Sequence, residues 1–121
     1  MDITELEEMT GRWVEWAKSI AEEIQHYDDY LNDLDIRSNL GTKVNGLKEG
    51  EVKQRIVRQL RMGDEFFLNA TNSYPVGLGL KTNAYCVDRD WFRFRIPPIT
   101  DFNWKERIRI NWRIRTPKAD S

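Results

Sequence analysis

Cysteine and histidine are almost missing from this chain. One cysteine, Cys86, excludes a disulfide within a single copy, and with one histidine, His26, it cannot close a structural zinc site. Cys86 has no histidine near it in sequence and reads as a small hydrophobe, while His26 reads as a surface residue. Apolar residues never run for the roughly 20 positions that a membrane-spanning helix needs. Charge of one sign is also lacking: the formal net charge is −1 and the pI about 5.9, so no overall field draws the protein to nucleic acid or to a membrane surface. No Gly-Lys-Ser/Thr follows Gly77-Leu78-Gly79, which removes the phosphate-loop reading, and Asp88-Arg89-Asp90 lacks the spacing of a calcium loop. These absences exclude the common catalytic signatures. The expectation is a protein that is not an enzyme, with no cofactor and no metal, in a reducing compartment such as the cytoplasm of a host cell.

The balance of charge conceals an asymmetry. Up to Asp35 there are eleven acids, from Asp2 to Asp35, against Arg12 and Lys18 alone, so this front part sums to −9 and the rest carries +8. Within it, apolar residues recur every seven positions at Leu6, Trp13, Ile20, Tyr27 and Leu34, flanked by Met9, Trp16 and Tyr30 and by Ala17, Ile24 and Leu31. The spacing predicts one amphipathic helix over residues 1–36, with Glu8, Glu15, Glu22 and Asp29 as a solvated acidic ridge. Asp2 followed by Glu5 suits its first turn. Gly11 is its soft spot. Unbroken, such a helix runs roughly 50 Å, longer than a domain of this size, whose radius of gyration is about 14 Å. The overhang predicts a homo-oligomer, a dimer or higher, with Trp13, Trp16, Ile20 and Tyr27 at the subunit contact.

Residues 38–50 are turn-rich, with Gly41, Asn45-Gly46 and Gly50, and allow a short hairpin. Residues 51–62 fit either a helix (Val52, Ile56, Leu60) or a strand (Ile56, Leu60, Met62), with the strand favoured by the meander expected after it. Gly63-Asp64 can end a helix or turn a hairpin into Glu65–Leu68. Tyr74–Leu80 reads as an irregular strand, and Ala84–Val87 with Trp91–Ile96 as a long strand bulged near Asp88–Asp90 and stopped by Pro97-Pro98. The expected fold is α+β in a single domain over residues 1–121: a long N-terminal amphipathic helix packed on an antiparallel β-sheet meander over 42–116, with a frayed tail over 117–121.

What the chain does have is arginine on alternate positions of two extended-looking runs, Trp91–Ile96 and Arg107–Arg115. A period of two puts Phe92, Phe94, Ile96, Ile108, Ile110, Trp112 and Ile114 on buried faces. It puts Arg93, Arg95, Arg107, Arg109, Arg113 and Arg115 on the opposite faces. Guanidinium forks match phosphate oxygens in pairs, and like charges side by side on a sheet call for a counter-anion. Trp91 falls on the arginine side and could stack a planar group. Acids of the chain itself or of a partner subunit are the competing source of neutralisation.

The order of parts, a long N-terminal helix and then an arginine-bearing sheet, resembles the phage Thoeris anti-defence sponge proteins, through Arg109 and Arg113 on the final strand. That resemblance implies a non-enzymatic oligomer of phage or mobile-element origin that sequesters a signalling nucleotide. Arg109 and Arg113 would then be its phosphate ligands, and Trp91 or Phe92 would stack the base. The first reading is therefore a binding module for an anionic, phosphate-bearing small molecule at a subunit boundary. The second is an inhibitor of host-defence or anti-CRISPR type that contacts a host protein through its acidic helix. The third is a nucleic-acid binder, which the charge balance disfavours.

Overall fold

The computed structural model describes residues 2–75, 77–79 and 85–100. Among them are three helices, α1 (Ile3–Ser19), α2 (Tyr27–Asn45) and α3 (Glu51–Ala70), and two short strands, β1 (Asn72–Ser73) and β2 (Arg95–Ile96). A 3-10 turn, Trp91–Phe94, leads into β2. The strands pair antiparallel, Asn72 opposite Ile96 and Ser73 opposite Arg95. The α+β class holds in this coarse form. Helix dominates the described residues, and the extended meander is not seen in them.

The single long helix divides. Asp2 caps α1, its Oδ1 accepting from the Glu5 N–H at 2.9 Å. Leu6, Trp13, Val14 and Ala17 form its buried face. At the other end the Ser19 hydroxyl donates to the Trp16 carbonyl at 2.8 Å, and the Glu22 and Glu23 amides turn back onto Ser19 O. A hydroxyl that takes a local carbonyl competes with the helical ladder, and here the chain leaves it. The Gln25 amide then donates to Ile99 O, and Gln25 bridges Thr100, which pins the connection. α1 has 17 residues, roughly 25 Å, so the overhang that predicted a second subunit is gone. The seven-residue row survives the break because α2 folds back: Ile20, Tyr27 and Leu34 stay buried in the same core as Trp13.

α2 and α3 overturn three further expectations. Residues 38–45 are helical, not a hairpin, with Gly46 at the end of α2. Residues 51–62 are helical, not a strand, and α3 continues through Glu65–Leu68 to Ala70. The step-of-four row wins because Ile56, Leu60 and Phe67 all reach one face, packed chiefly on α1. Gly63 does not break α3. A Cβ there would stand 2.6 Å from Trp13 Cδ1, so the missing side chain lets α1 and α3 approach. Trp13, Trp16, Tyr30 and Phe67 then form one aromatic cluster with ring centroids 5.2–6.3 Å apart.

A largely buried ion pair ties the three helices together. Arg37 of α2 donates from Nε and Nη2 to the two carboxylate oxygens of Asp64 on α3, both at 2.8 Å. Trp13 Nε1 of α1 donates to Asp64 Oδ1 at 3.0 Å. The guanidinium also lies over the Phe92 ring, 5.1 Å from its centroid. A bidentate pair with its remaining lone pairs used is the geometry that offsets the desolvation of both charges.

The C-terminal part of the described chain is a strap held by polar and backbone contacts. The Tyr74 amide donates to Phe94 O at 2.7 Å and the Leu78 amide to Arg93 O at 2.8 Å. Tyr30 Oη donates to Arg95 O at 2.7 Å, and burial raises the Tyr30 pKa well above the usual phenol range. The expected strand over Trp91–Ile96 is a 3-10 turn for its first four residues, and the segment at Val87–Arg89 is a turn. The run Arg107–Arg115 lies outside the described residues.

Candidate functional site

The two arginines of the first run diverge. Arg93 is buried against α2: Nη2 donates to Asp35 Oδ1 at 2.6 Å and to Ser38 Oγ at 2.9 Å, and Nη1 to Leu78 O at 3.1 Å. Its guanidinium carbon lies 4.5 Å from the Tyr85 ring centroid. Arg95 turns instead to the end of α3. Its Nη2 donates to Leu68 O and Thr71 O, its Nε to Thr71 Oγ1 and its Nη1 to Ser73 Oγ. Those are carbonyls that a helix end leaves without partners, and a cation suits that end of the dipole. A 3-10 turn advances about 120° per residue rather than 180°, which is why alternate positions do not share a side. Phe92 is buried in the core, and Trp91 packs edge-on against Phe67 and Phe92. Arg107, Arg109, Arg113 and Arg115 lie outside the described residues.

The residues expected at a subunit contact are used within one chain. Trp13, Ile20 and Tyr27 are buried, and Trp16 packs against them as part of the aromatic cluster. The acidic ridge is divided as well: Glu8 and Glu15 lie on α1, Glu22 in the turn after it and Asp29 on α2.

Between α2 and residues 85–92 there is a cleft of about 470 Å³. One wall is a helical strip of small or polar side chains, Ser38, Gly41, Thr42 and Asn45. The other is Tyr85, Arg89, Asp90 and Phe92. The strip follows from helical spacing, because positions separated by three, four and seven fall on one face. Ser38 Oγ accepts from Arg93, which leaves its own proton to donate elsewhere. Thr42 Oγ1 donates to Ser38 O, so its lone pairs remain to accept.

Tyr85 is set in place by the strap. A Cβ at Gly77 would stand 3.0 Å from its ring. Gly79 takes a φ of 148°, a conformation that suits glycine, and a side chain there would run into the same ring. Across the cleft wall, Arg89 is exposed and donates from Nε and Nη2 to Asp90 Oδ2 at 3.0 and 2.8 Å. Asp90 Oδ2 also accepts from the Cys86 amide at 3.0 Å. Burial by itself would raise the Asp90 pKa. The Arg89 hydrogen bond, the Cys86 amide and the charges of Arg89 and Arg93 outweigh it and hold Asp90 below the usual carboxylate range. The hydrogen bond and charge of Asp90 in turn raise Arg89.

Arg37 packs beside Gly41 on the same helix. Its Nη1 lies 3.0 Å from where a Cβ on Gly41 would stand. Among the described residues, Nε and Nη2 are spent on Asp64 and no hydrogen bond is made by Nη1. Among the described residues Arg89 is the guanidinium that lines the cleft, while Arg93 touches it only through Ser38. The sequence reading missed Ser38, Thr42, Asn45, Tyr85 and Arg89. The signal for the first three was present as an i, i+4, i+7 row, but it is visible only when residues 38–45 are read as a helix.

Among the described residues no group of three His, Cys, Asp or Glu side chains is placed to hold a metal ion. No described helix is long and apolar enough to cross a membrane. No protein-family model, curated protein or solved structure matches this chain.

Proposed function

We propose that this chain is a non-enzymatic binding module that holds a phosphate-bearing small molecule, of mononucleotide size, in the cleft between α2 and residues 85–92. The observation that carries this reading is the convergence of a guanidinium, two hydroxyls, an amide and two aromatic rings on one concavity of about 470 Å³. Sites for small ligands fall in that size range and combine apolar walls with a few placed polar groups. An exposed arginine oriented by a carboxylate offers a phosphate a fixed donor fork, and aromatic rings beside it accept a planar group. Asp90 is already engaged by Arg89 and the Cys86 amide, so it serves to orient the arginine rather than to abstract a proton. Sequestering a nucleotide signal, which the Thoeris resemblance implies, is a role that such a module would fill. The resemblance itself rests on Arg109 and Arg113, outside the described residues.

Isothermal titration calorimetry with adenosine monophosphate, adenosine and inorganic phosphate tests the reading. Adenosine monophosphate is expected to bind more tightly than adenosine, with affinity that falls as salt rises, and Arg89→Gln is expected to weaken it about tenfold or more. Absence of binding by adenosine monophosphate and inorganic phosphate at millimolar concentration, or equal affinity for adenosine and its monophosphate, would reject it.

A further inference from the structure

Arg37, Arg89 and Arg93 each meet a carboxylate, of Asp64, Asp90 and Asp35 in turn. Among the described residues Arg95 meets none. Its Nε and the two protons of its Nη2 go to Thr71 Oγ1, Leu68 O and Thr71 O, all neutral oxygens. The helix end that supplies the carbonyls carries only about half a negative charge, so part of the cation stays uncompensated. Nη1 donates one of its two protons to Ser73 Oγ at 3.2 Å. Its second proton has no acceptor among the described residues, and Ser73, having accepted, keeps its own proton to give. Two donors therefore stand side by side, on a partly exposed guanidinium that the end of α3 holds in one orientation.

Arg95 and Ser73 line a second cavity, of about 330 Å³. The rest of its lining is apolar: the rings of Tyr74, Trp91 and Phe94, with Leu68, Pro75 and Val87. Leu68 is 41% and Val87 61% exposed, so large aliphatic surface around this cavity is left in water. None of its residues lines the cleft between α2 and residues 85–92.

We infer that this second cavity binds a monocarboxylate with a flat apolar body, separately from the phosphate cleft. One guanidinium balances one negative charge. A carboxylate takes the Nη1 proton on one oxygen and the Ser73 proton on the other, a charge-assisted pair with fixed direction. A phosphate dianion would bring a further charge, and no second cation lines this cavity to meet it. The three rings offer faces and edges to a planar body, and its entry covers Leu68 and Val87.

Calorimetric titration with indole-3-acetate tests the assignment. Indole-3-acetate is expected to bind at millimolar concentration or below. Indole-3-acetamide, the same body without the charge, should bind at least about tenfold more weakly, the loss of one hydrogen bond to a charged group. Octanoate, a carboxylate on a flexible chain, should also bind more weakly. Arg95 itself closes the end of α3, so the variant to use is Val87→Glu, at an exposed position. It should keep the thermal midpoint and lose at least about tenfold in affinity for indole-3-acetate. In nitrogen-15 spectra of the unaltered protein, the Arg95 side-chain resonances should move during the titration. Absence of binding at millimolar concentration, equal affinity for acid and amide, full affinity in Val87→Glu or unmoved Arg95 resonances would each overturn the site. Octanoate binding as tightly as indole-3-acetate overturns the flat body. Displacement of indole-3-acetate by adenosine monophosphate overturns the separation of the two cavities. Binding of adenosine monophosphate in the absence of indole-3-acetate is read independently, so either site can fail while the other stands.

Discussion

The helical core and the strap over residues 71–75, 77–79 and 85–100 are stabilised by different means. In the core, apolar faces meet at intervals of three and four, and the ion pair of Arg37 with Asp64 is bidentate and further bonded by Trp13. In the strap, two strands of two residues each supply little ladder, and arginine side chains reach out to backbone carbonyls instead. Arg93 makes three hydrogen bonds yet keeps a buried Nε without a partner. The contrast teaches where each part of the molecule can tolerate change. A dense core penalises any alteration of volume or charge. A strap assembled from charge-to-carbonyl contacts loses them one at a time, and it is the part that shapes the cleft.

Asp64→Ala should break the comparison most forcefully. It strands the buried Arg37 charge and the Trp13 N–H, and the cost should be about 3–5 kcal/mol, read as a fall in the urea midpoint. Gly63→Ala should come next. Its methyl group would stand 2.6 Å from the Trp13 ring, and overpacking of this kind costs about 1–3 kcal/mol, visible in the same unfolding curves. Arg95→Ala removes the donors that close the end of α3 while leaving the core intact. We expect about 1–2 kcal/mol, with loss of amide-exchange protection confined to the last turn of α3 and to β1. A cost for Arg95→Ala equal to that of Asp64→Ala would erase the distinction between core and strap.

The smallest expected effect depends on pH. Asp33 is half-buried, and burial, then the Asp29 carboxylate one turn earlier, raise its pKa from 3.8 to about 6. Below pH 3.8 it is protonated in both folded and unfolded chains and contributes nothing to the difference. Between about 4 and 6 the folded chain holds the extra proton, so this group lowers stability as pH rises, and the full penalty is present above 6. After screening by solvent the penalty is about 1 kcal/mol. Asp33→Asn should therefore raise the thermal midpoint at pH 7 and leave it unchanged at pH 3.5. An equal gain at both values would show that its benefit is not electrostatic.

Several parts of this arrangement were legible beforehand, for identifiable reasons. The row Leu6, Trp13, Ile20, Tyr27 and Leu34 was assigned to one apolar face, and all five are buried. Its period carries no information on where the helix bends, because a helix that turns back on itself buries the same residues as one that continues. Gly41, Asn45 and Gly63 read as turn signals, yet all three lie inside helices, where packing overrides local propensity. The period of two at Phe92–Arg95 read as a strand. An alternating pattern this short also fits a 3-10 turn whose side chains find separate partners. Residues of the cleft come from two segments some 40 positions apart, with no motif linking them.

The amino-acid sequence alone determined the helix-forming front, the burial of its aromatic row, and the scarcity of cysteine and histidine, because periodicity and composition act locally. Tertiary structure decided that α1 and α2 are separate helices, that Arg93 and Arg95 point to different partners, and that Arg37 meets Asp64. Those outcomes depend on which carboxylate or carbonyl comes within about 3 Å of a guanidinium, and that distance is set only when distant segments pack together.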